Sequence, residues 1–377
     1  MTLEASRLRT TVLALIRERG PLTVAEVMDL ALYHPERGYY ATASRRSGRA
    51  GDFFTSVDVG PLFGALLASQ ITQMGSVLRE RGAAGFHFVE AGASDGRLAR
   101  DVLDAIAIDS PELYRGLRVT LVERSAAARA QHQEVLGPHG RAPAVESASA
   151  LPRSVTGVIL ANELLDALPV HVVVMTPAGL HEVRVGESNG TLVEVLLPLA
   201  GPEIERYLVS VGVTLPVGVR AEIGLAAVQW VEEAARSLVR GFLLLIDYGH
   251  EAAELYSEAH EDGTLMAYRA HAADRVNWLD ATGSCDLTAH VNLTAVRRAA
   301  ACAGLVPLGL VDQTSFLVAL GLTEHLDAER SLSSVRRRLA ARTLIDPAGL
   351  GGTMKVLAFG KDVGMPALRG FGNRWMS

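Results

Sequence analysis

The feature that most constrains this chain is the run Phe88-Val89-Glu90-Ala91-Gly92-Ala93-Ser94-Asp95-Gly96-Arg97-Leu98, an apolar strand passing into a glycine-containing turn and then a helix. Such an order begins a nucleotide-cofactor fold, in which ligands lie outside the carboxyl ends of parallel strands. A dinucleotide fingerprint needs glycine at the first, third and sixth turn positions. Here those are Gly92, Ser94 and Arg97, so two of three fail. The next apolar run, Val119-Thr120-Leu121-Val122, ends in Glu123. In a doubly wound sheet that carboxylate sits beside the first turn and can accept hydrogen bonds from both hydroxyls of a ribose; the alternative is a solvated loop acid. Its separation from Gly92 exceeds the roughly 20 residues expected of an NAD ribose acid.

A chain of 377 residues, 49% of them hydrophobic, can bury a sizeable core as two domains or as one large α/β domain with insertions. The net charge of -6 and the lack of a basic stripe with interleaved aromatics argue against nucleic acid as a partner. Cys285 and Cys302 are too few and too far apart for a zinc spacing or a disulfide framework, so no metal is expected and a reducing compartment is. Val12 to Ile16 is too short for a signal segment, and no run approaches the roughly 18 apolar residues that span a bilayer. A soluble cytoplasmic protein without membrane contact is the expectation.

Leu8 to Arg19 and Thr23 to Tyr33 read as amphipathic helices, the second opened by a capping box of Thr23 and Glu26. Core strands are predicted at 86–90, 118–123, 142–146, 156–161 and 241–247, with later ones near 305–311 and 354–360. The continuous runs Val158-Ile159-Leu160 and Phe242-Leu243-Leu244-Leu245-Ile246 suit parallel strands buried on both faces. Between the fourth and fifth core strands, His171 to Met175, Leu180 to Val185 and Thr191 to Leu197 alternate around Pro177-Ala178-Gly179 and Ser188-Asn189-Gly190, which is hairpin chemistry. Helices are predicted at about 202–210 and 219–239.

The acidic strand end Glu90 followed by Gly92 and Gly96 resembles the glycine turn of S-adenosylmethionine (SAM) methyltransferases. With further blocks it resembles the MidA family of such enzymes over nearly the whole chain. Those blocks are Leu30 to Tyr40, Gly51 to Ser56, Ala161-Asn162-Glu163 with Asp166 to His171, Ile246-Asp247-Tyr248-Gly249, Gly263-Thr264-Leu265 with Tyr268 to His271, and Asp286 to Val291. The chain departs from the family at Val57-Asp58, at Ser94 in place of glycine, and at Asn292 in place of aspartate. A serine at 94 is tolerable if its φ is negative.

The resemblance implies a class I methyltransferase fold, α/β with a Rossmann-like, seven-strand, mostly parallel sheet. It would carry an N-terminal helical, cofactor-covering segment at 1–84, a SAM-binding domain at 85–362 with substrate-side insertions at about 170–237 and 250–292, and a tail at 363–377. SAM is the implied cofactor, with Glu90, Gly92, Gly96, Glu123, Asn162, Thr55 and Ser56 as its binding residues. Gly51 to Ser56 has two readings: folded over the cofactor, with Phe53 or Phe54 stacking and Thr55 or Ser56 bonding the methionyl carboxylate, or a turn with its aromatics in the core. For catalysis the candidates are Glu163 and Asp166, which would share one face if a helical turn starts there and so grip a guanidinium, and Asp247 or His290 as proton acceptor; Asp166 has the alternative of a cap or a partner for a nearby arginine, and Asp247 that of a strand-end turn closed by Gly249. His271 and His290 have the alternative of hydrogen-bonded structural histidines. The family's mitochondrial members look like protein arginine methyltransferases, which implies a protein or peptide acceptor and allows a homodimer. A SAM-binding assembly protein with little turnover, a methyltransferase acting on a small metabolite and a NAD-dependent oxidoreductase stand as alternatives.

Overall fold

The computed structural model describes residues 3–42, 55–141, 144–269, 272–274, 278–280, 282–325 and 332–372. The chain divides into two compact units: one holds Thr55–Leu164, Glu232–Tyr248 and Ala300–Ser377, the other Met1–Phe54, Leu165–Val231 and Gly249–Ala299.

The first unit is built on the predicted strands. Across the sheet they run Val306–Asp312, Met354–Lys361, Leu238–His250, Val155–Asn162, Phe86–Ala91, Leu117–Val122 and Ala144–Ala148. The five from Leu238–His250 to Ala144–Ala148 pair in parallel, while Met354–Lys361 is antiparallel to both its neighbours. Continuous apolar runs behave as strands covered on both faces: Val158, Ile159, Leu160 and Phe242 to Ile246 are at most 1% exposed. The helices Pro61–Glu80 and Arg97–Asp109 belong to this unit, and a Cβ on Gly64 would meet the Asp101 side chain at 2.5 Å, so the two helices approach closely there. Seven strands were expected and the sheet holds eight. The eighth, Val291–Asn292, pairs in parallel with Gly249 and His250 at the far end of the long strand, all four residues belonging to the second unit.

In the second unit Leu22–Thr23, Gly179–Ser188, His171–Thr176 and Arg220–Ile223 form a sheet in that order, with Thr191–Pro198 also paired to Gly179–Ser188. The hairpin at 188–191 forms because Asn189 and Gly190 both take positive φ, 50° and 77°, matching the twist of the strands it joins. Helices Leu3–Arg19 and Val24–Tyr33 pack on this sheet through Leu8, Val12, Val24 and Met28 against Val172, Val183 and Val185. The predicted capping box is present, Thr23 accepting from the Glu26 N–H and Glu26 from the Thr23 N–H at 2.7 Å. The helix predicted over 219–239 is shorter, Leu225–Ser237, because Arg220–Ile223 finds a strand partner in His171–Val174.

Residues to 54 thus group with the insertions, whereas Thr55–Glu80 and the tail from Val363 group with the large sheet. Among the described residues no helix is long and apolar enough to cross a membrane.

Candidate active site

At the carboxyl end of Phe86–Ala91 the chain turns through Gly92 at φ 73°, Ser94 at φ 48° and Gly96 at φ 90°, and Gly96 caps the helix Arg97–Asp109. Gly92 is doubly constrained, since a Cβ there would also lie 3.0 Å from Leu164 Cδ1. Ser94 does not take the negative φ that would make it unstrained. A non-glycine residue in the left-handed region costs about 1–2 kcal/mol and persists only where its surroundings hold it. Two groups do so: the Ser94 N–H donates to Glu123 Oε2 at 2.9 Å, and its carbonyl accepts from His132 Nε2 at 2.8 Å. His132 is buried and bonded to Ser147 through Nδ1, and burial lowers its pKa, so it serves as a neutral donor.

Glu123 is half-buried at the end of the neighbouring strand. Besides Ser94, its Oε1 accepts from the Ser125 N–H at 2.7 Å. It is therefore a brace of the turn as well as an acceptor with lone pairs to spare. Glu90 has a different setting. It is 4% exposed, and its Oε2 has no hydrogen-bond partner. Burial first, then the charge of Asp95, pushes its pKa well above the usual carboxylate value. The strand register sets Ala161 opposite Ala91, which brings Asn162 to the adjoining strand end. Asn162 Oδ1 is a second buried acceptor lacking a partner, while its Nδ2 donates to Glu163 Oε1 at 3.1 Å. Two buried acceptors left unbonded beside a glycine turn suit a ligand carrying ammonium and hydroxyl donors, and SAM carries both.

Thr55 and Ser56 belong to the same unit, and their hydroxyls are engaged. Thr55 Oγ1 donates to Asp58 Oδ2 at 2.9 Å, and Ser56 Oγ, fully buried, donates to Gln313 Oε1 at 3.0 Å. Asp58 in turn pairs with Arg97 at 3.0 Å, tying this segment to the helix that follows the turn. Phe53, Phe54 and His271 lie outside the described residues.

After Asn162 the chain does not become helical: 163–168 is a bend and turn, so the premise that set Glu163 and Asp166 on one helical face fails. Glu163 takes φ 50°, a second non-glycine residue in the left-handed region, fixed by its N–H donating to the Ile246 carbonyl at 2.8 Å. Asp247, 2% exposed, accepts from the Leu164 N–H at 3.2 Å and from the Tyr248 N–H at 3.0 Å. Asp166, in the other unit, is 5% exposed, and its carbonyl accepts from the Ala289 N–H at 3.0 Å. His290, also there, donates its backbone N–H to Thr264 and stacks its ring on His250 at a centroid distance of 5.1 Å. Sequence reasoning missed His132 and the positive φ of Ser94 and Glu163; the bare order of residues carries no signal for either torsion.

A family model described as "Putative S-adenosyl-L-methionine-dependent methyltransferase" matches residues 64–311. The chain belongs to that family. It is a SAM-dependent methyltransferase with SAM as its cofactor, and its sheet is that of an α/β methyltransferase. Among solved structures, a superfamily member from Burkholderia thailandensis bound to S-adenosyl-homocysteine superposes with a TM-score of 0.90 at 31% identity, covering 98% of this chain and 95% of that one. The mouse mitochondrial protein arginine methyltransferase NDUFAF7 is 29% identical over 82% of this chain and 73% of its own length. Its mitochondrial Drosophila melanogaster homolog is 29% identical over 94% and 84%. These mitochondrial relatives overturn the cytoplasmic location expected above, because two cysteines and the lack of a spanning helix do not distinguish those compartments.

Proposed function

We propose that this methyltransferase acts on a guanidinium nitrogen of arginine in a protein or peptide, with Glu163 as the acceptor-facing carboxylate. The observation that carries the reading is the left-handed backbone of Glu163 at the end of a core parallel strand. Strain of about 1–3 kcal/mol is retained at sites where a side chain must be aimed, and ligands of such sheets bind at this edge. The names of the curated relatives support the acceptor class.

SAM supplies an electrophilic methyl group. The remaining work belongs to this chain's residues. Glu90 and Asn162 would accept hydrogen bonds from the cofactor, and Glu123 would receive the ribose hydroxyls while bracing Ser94. Asp247 positions the Glu163 turn through the Leu164 N–H. The Glu163 carboxylate would orient the guanidinium through charge-assisted hydrogen bonds and take the proton released as the N–C bond forms and the sulfur–methyl bond breaks, with the thioether as leaving group.

The test is transfer from labelled SAM to arginine-bearing proteins, with methylarginine identified by mass spectrometry. Glu163→Gln is expected to lower kcat roughly 10- to 100-fold, from a lost charge-assisted bond of about 1.5–3 kcal/mol, with SAM affinity little changed. Label found only on a small metabolite, or full turnover in Glu163→Gln, would reject the assignment.

A further inference from the structure

Three histidines far apart in sequence meet in the second unit. His250, His260 and His290 each offer a ring nitrogen, and these nitrogens all lie within 4.8 Å of one another; none of the three residues is fully buried or fully exposed. Ring centroids stand 4.8, 5.1 and 6.1 Å apart. Backbone pairing fixes where two rings start, because Gly249 and His250 pair in register with Val291 and Asn292, the residues after His290. The third ends the short helical turn Glu258–His260.

One residue, Glu254, sets the tautomers. Its Oε1 lies 3.0 Å from His250 Nδ1, and its backbone carbonyl lies 3.1 Å from His260 Nδ1. A carboxylate and a carbonyl only accept, so in the neutral rings both Nδ1 atoms carry the proton and both Nε2 atoms carry a lone pair. Ligating histidines are held by this outer arrangement, a carboxylate or a carbonyl on the far ring nitrogen. We propose that His250, His260 and His290 form a binding site for one divalent transition-metal ion of the zinc class. Three imidazoles with no thiolate suit zinc, copper, nickel or iron in preference to calcium or magnesium, and three protein ligands leave a fourth position open to water. Metal–nitrogen bonds of about 2.0–2.1 Å would draw the nitrogens closer than they stand here. Bound metal would pin the end of the long strand to the segment before Val291.

The experiment uses the untagged full chain, stripped with a chelator and titrated with Co2+ alone. The expected result is one equivalent bound, with the intense visible d–d absorption of a four-coordinate ion that Zn2+ then displaces. His260→Gln should abolish that absorption. Glu254→Gln, at an exposed position that ligates nothing, should weaken Co2+ roughly 10- to 100-fold, whereas His181→Gln, outside the cluster, should leave binding unchanged. Circular dichroism checks the fold of each variant, and the wild-type titration decides alone if His260→Gln does not fold. Absence of a stoichiometric four-coordinate spectrum, or the same spectrum in folded His260→Gln, would overturn the site. The readout is metal binding, so it is independent of the acceptor assignment.

Discussion

Glu90 and Glu182 are both buried glutamates, one in each unit, with opposite fates. Glu182, 2% exposed, accepts from His171 Nδ1 at 2.7 Å and from Arg184 Nε and Nη2 at 2.9 and 2.8 Å. Burial raises its pKa, but the bonds to His171 and Arg184 outweigh that and the net shift is downward. Glu90, 4% exposed, has one oxygen without a partner and a pKa pushed well up. The fold satisfies one buried carboxylate through three hydrogen bonds and leaves the other incomplete, and an unmet buried acceptor costs about 1–3 kcal/mol, a cost that the proposed cofactor contact would relieve.

The largest effect should come from breaking the satisfied member. Arg184→Met leaves Glu182 buried with His171 alone. The expected loss is about 2–3 kcal/mol, below the usual 3–5 for a broken buried pair because one partner remains. Denaturant unfolding measures it, and SAM affinity should hold. Stability within error of wild type would mean that Glu182 is no more anchored than Glu90.

Glu90→Gln should act in the reverse sense, with SAM binding roughly 10- to 100-fold weaker by calorimetry and a ligand-free protein that melts higher. The sign follows from the raised pKa. The protonated carboxyl contributes stability that is complete below the unfolded value of 4.5 and is lost as pH rises through the higher folded value. The melting advantage of Glu90→Gln should therefore grow from pH 5 to pH 8; an advantage that shrinks would contradict burial as the cause. Glu123→Gln should weaken SAM by about tenfold, from one charged hydrogen bond of about 1.5 kcal/mol. It should also cost some stability, since Glu123 holds the N–H groups of Ser94 and Ser125.

The contrast between the units also explains what the sequence could tell. In the large sheet the central strands Val155–Asn162 and Leu238–His250 carry their own signal, continuous apolar runs such as Phe242 to Ile246, and the glycines at 92 and 96 mark the turn. The ion pair of Glu182 and Arg184 was legible in principle, because positions i and i+2 share a strand face. The packing of Leu8, Val12 and Met28 on Val172 and Val183 was not, since amphipathic periodicity identifies a buried face without naming what covers it. The four-residue strand Arg220–Ile223 is shorter than a periodic window and was absorbed into the helix after it. The cluster of His250, His260 and His290 has no motif spacing, because the sheet edge and a turn bring it together rather than one element.

The smallest expected effect sharpens the comparison at the turn itself. Ser94→Gly removes the Cβ responsible for the left-handed penalty of about 1–2 kcal/mol, against which the greater freedom of an unfolded glycine costs about 0.5–1 kcal/mol. The net gain in stability should be about 0.5–1 kcal/mol. Cofactor binding should not change, because what Ser94 gives Glu123 and His132 is its backbone N–H and carbonyl, and glycine keeps both. Unfolding curves and SAM titrations on the one variant separate two accounts of the strain. If stability rises and affinity holds, the turn carries strain that the cofactor does not use, and Glu90 and Asn162 alone mark the proposed cofactor contact. If affinity falls while stability rises, the rigidity of Ser94 is part of how this end of the sheet is held ready for SAM, a demand that the satisfied Glu182 never faces.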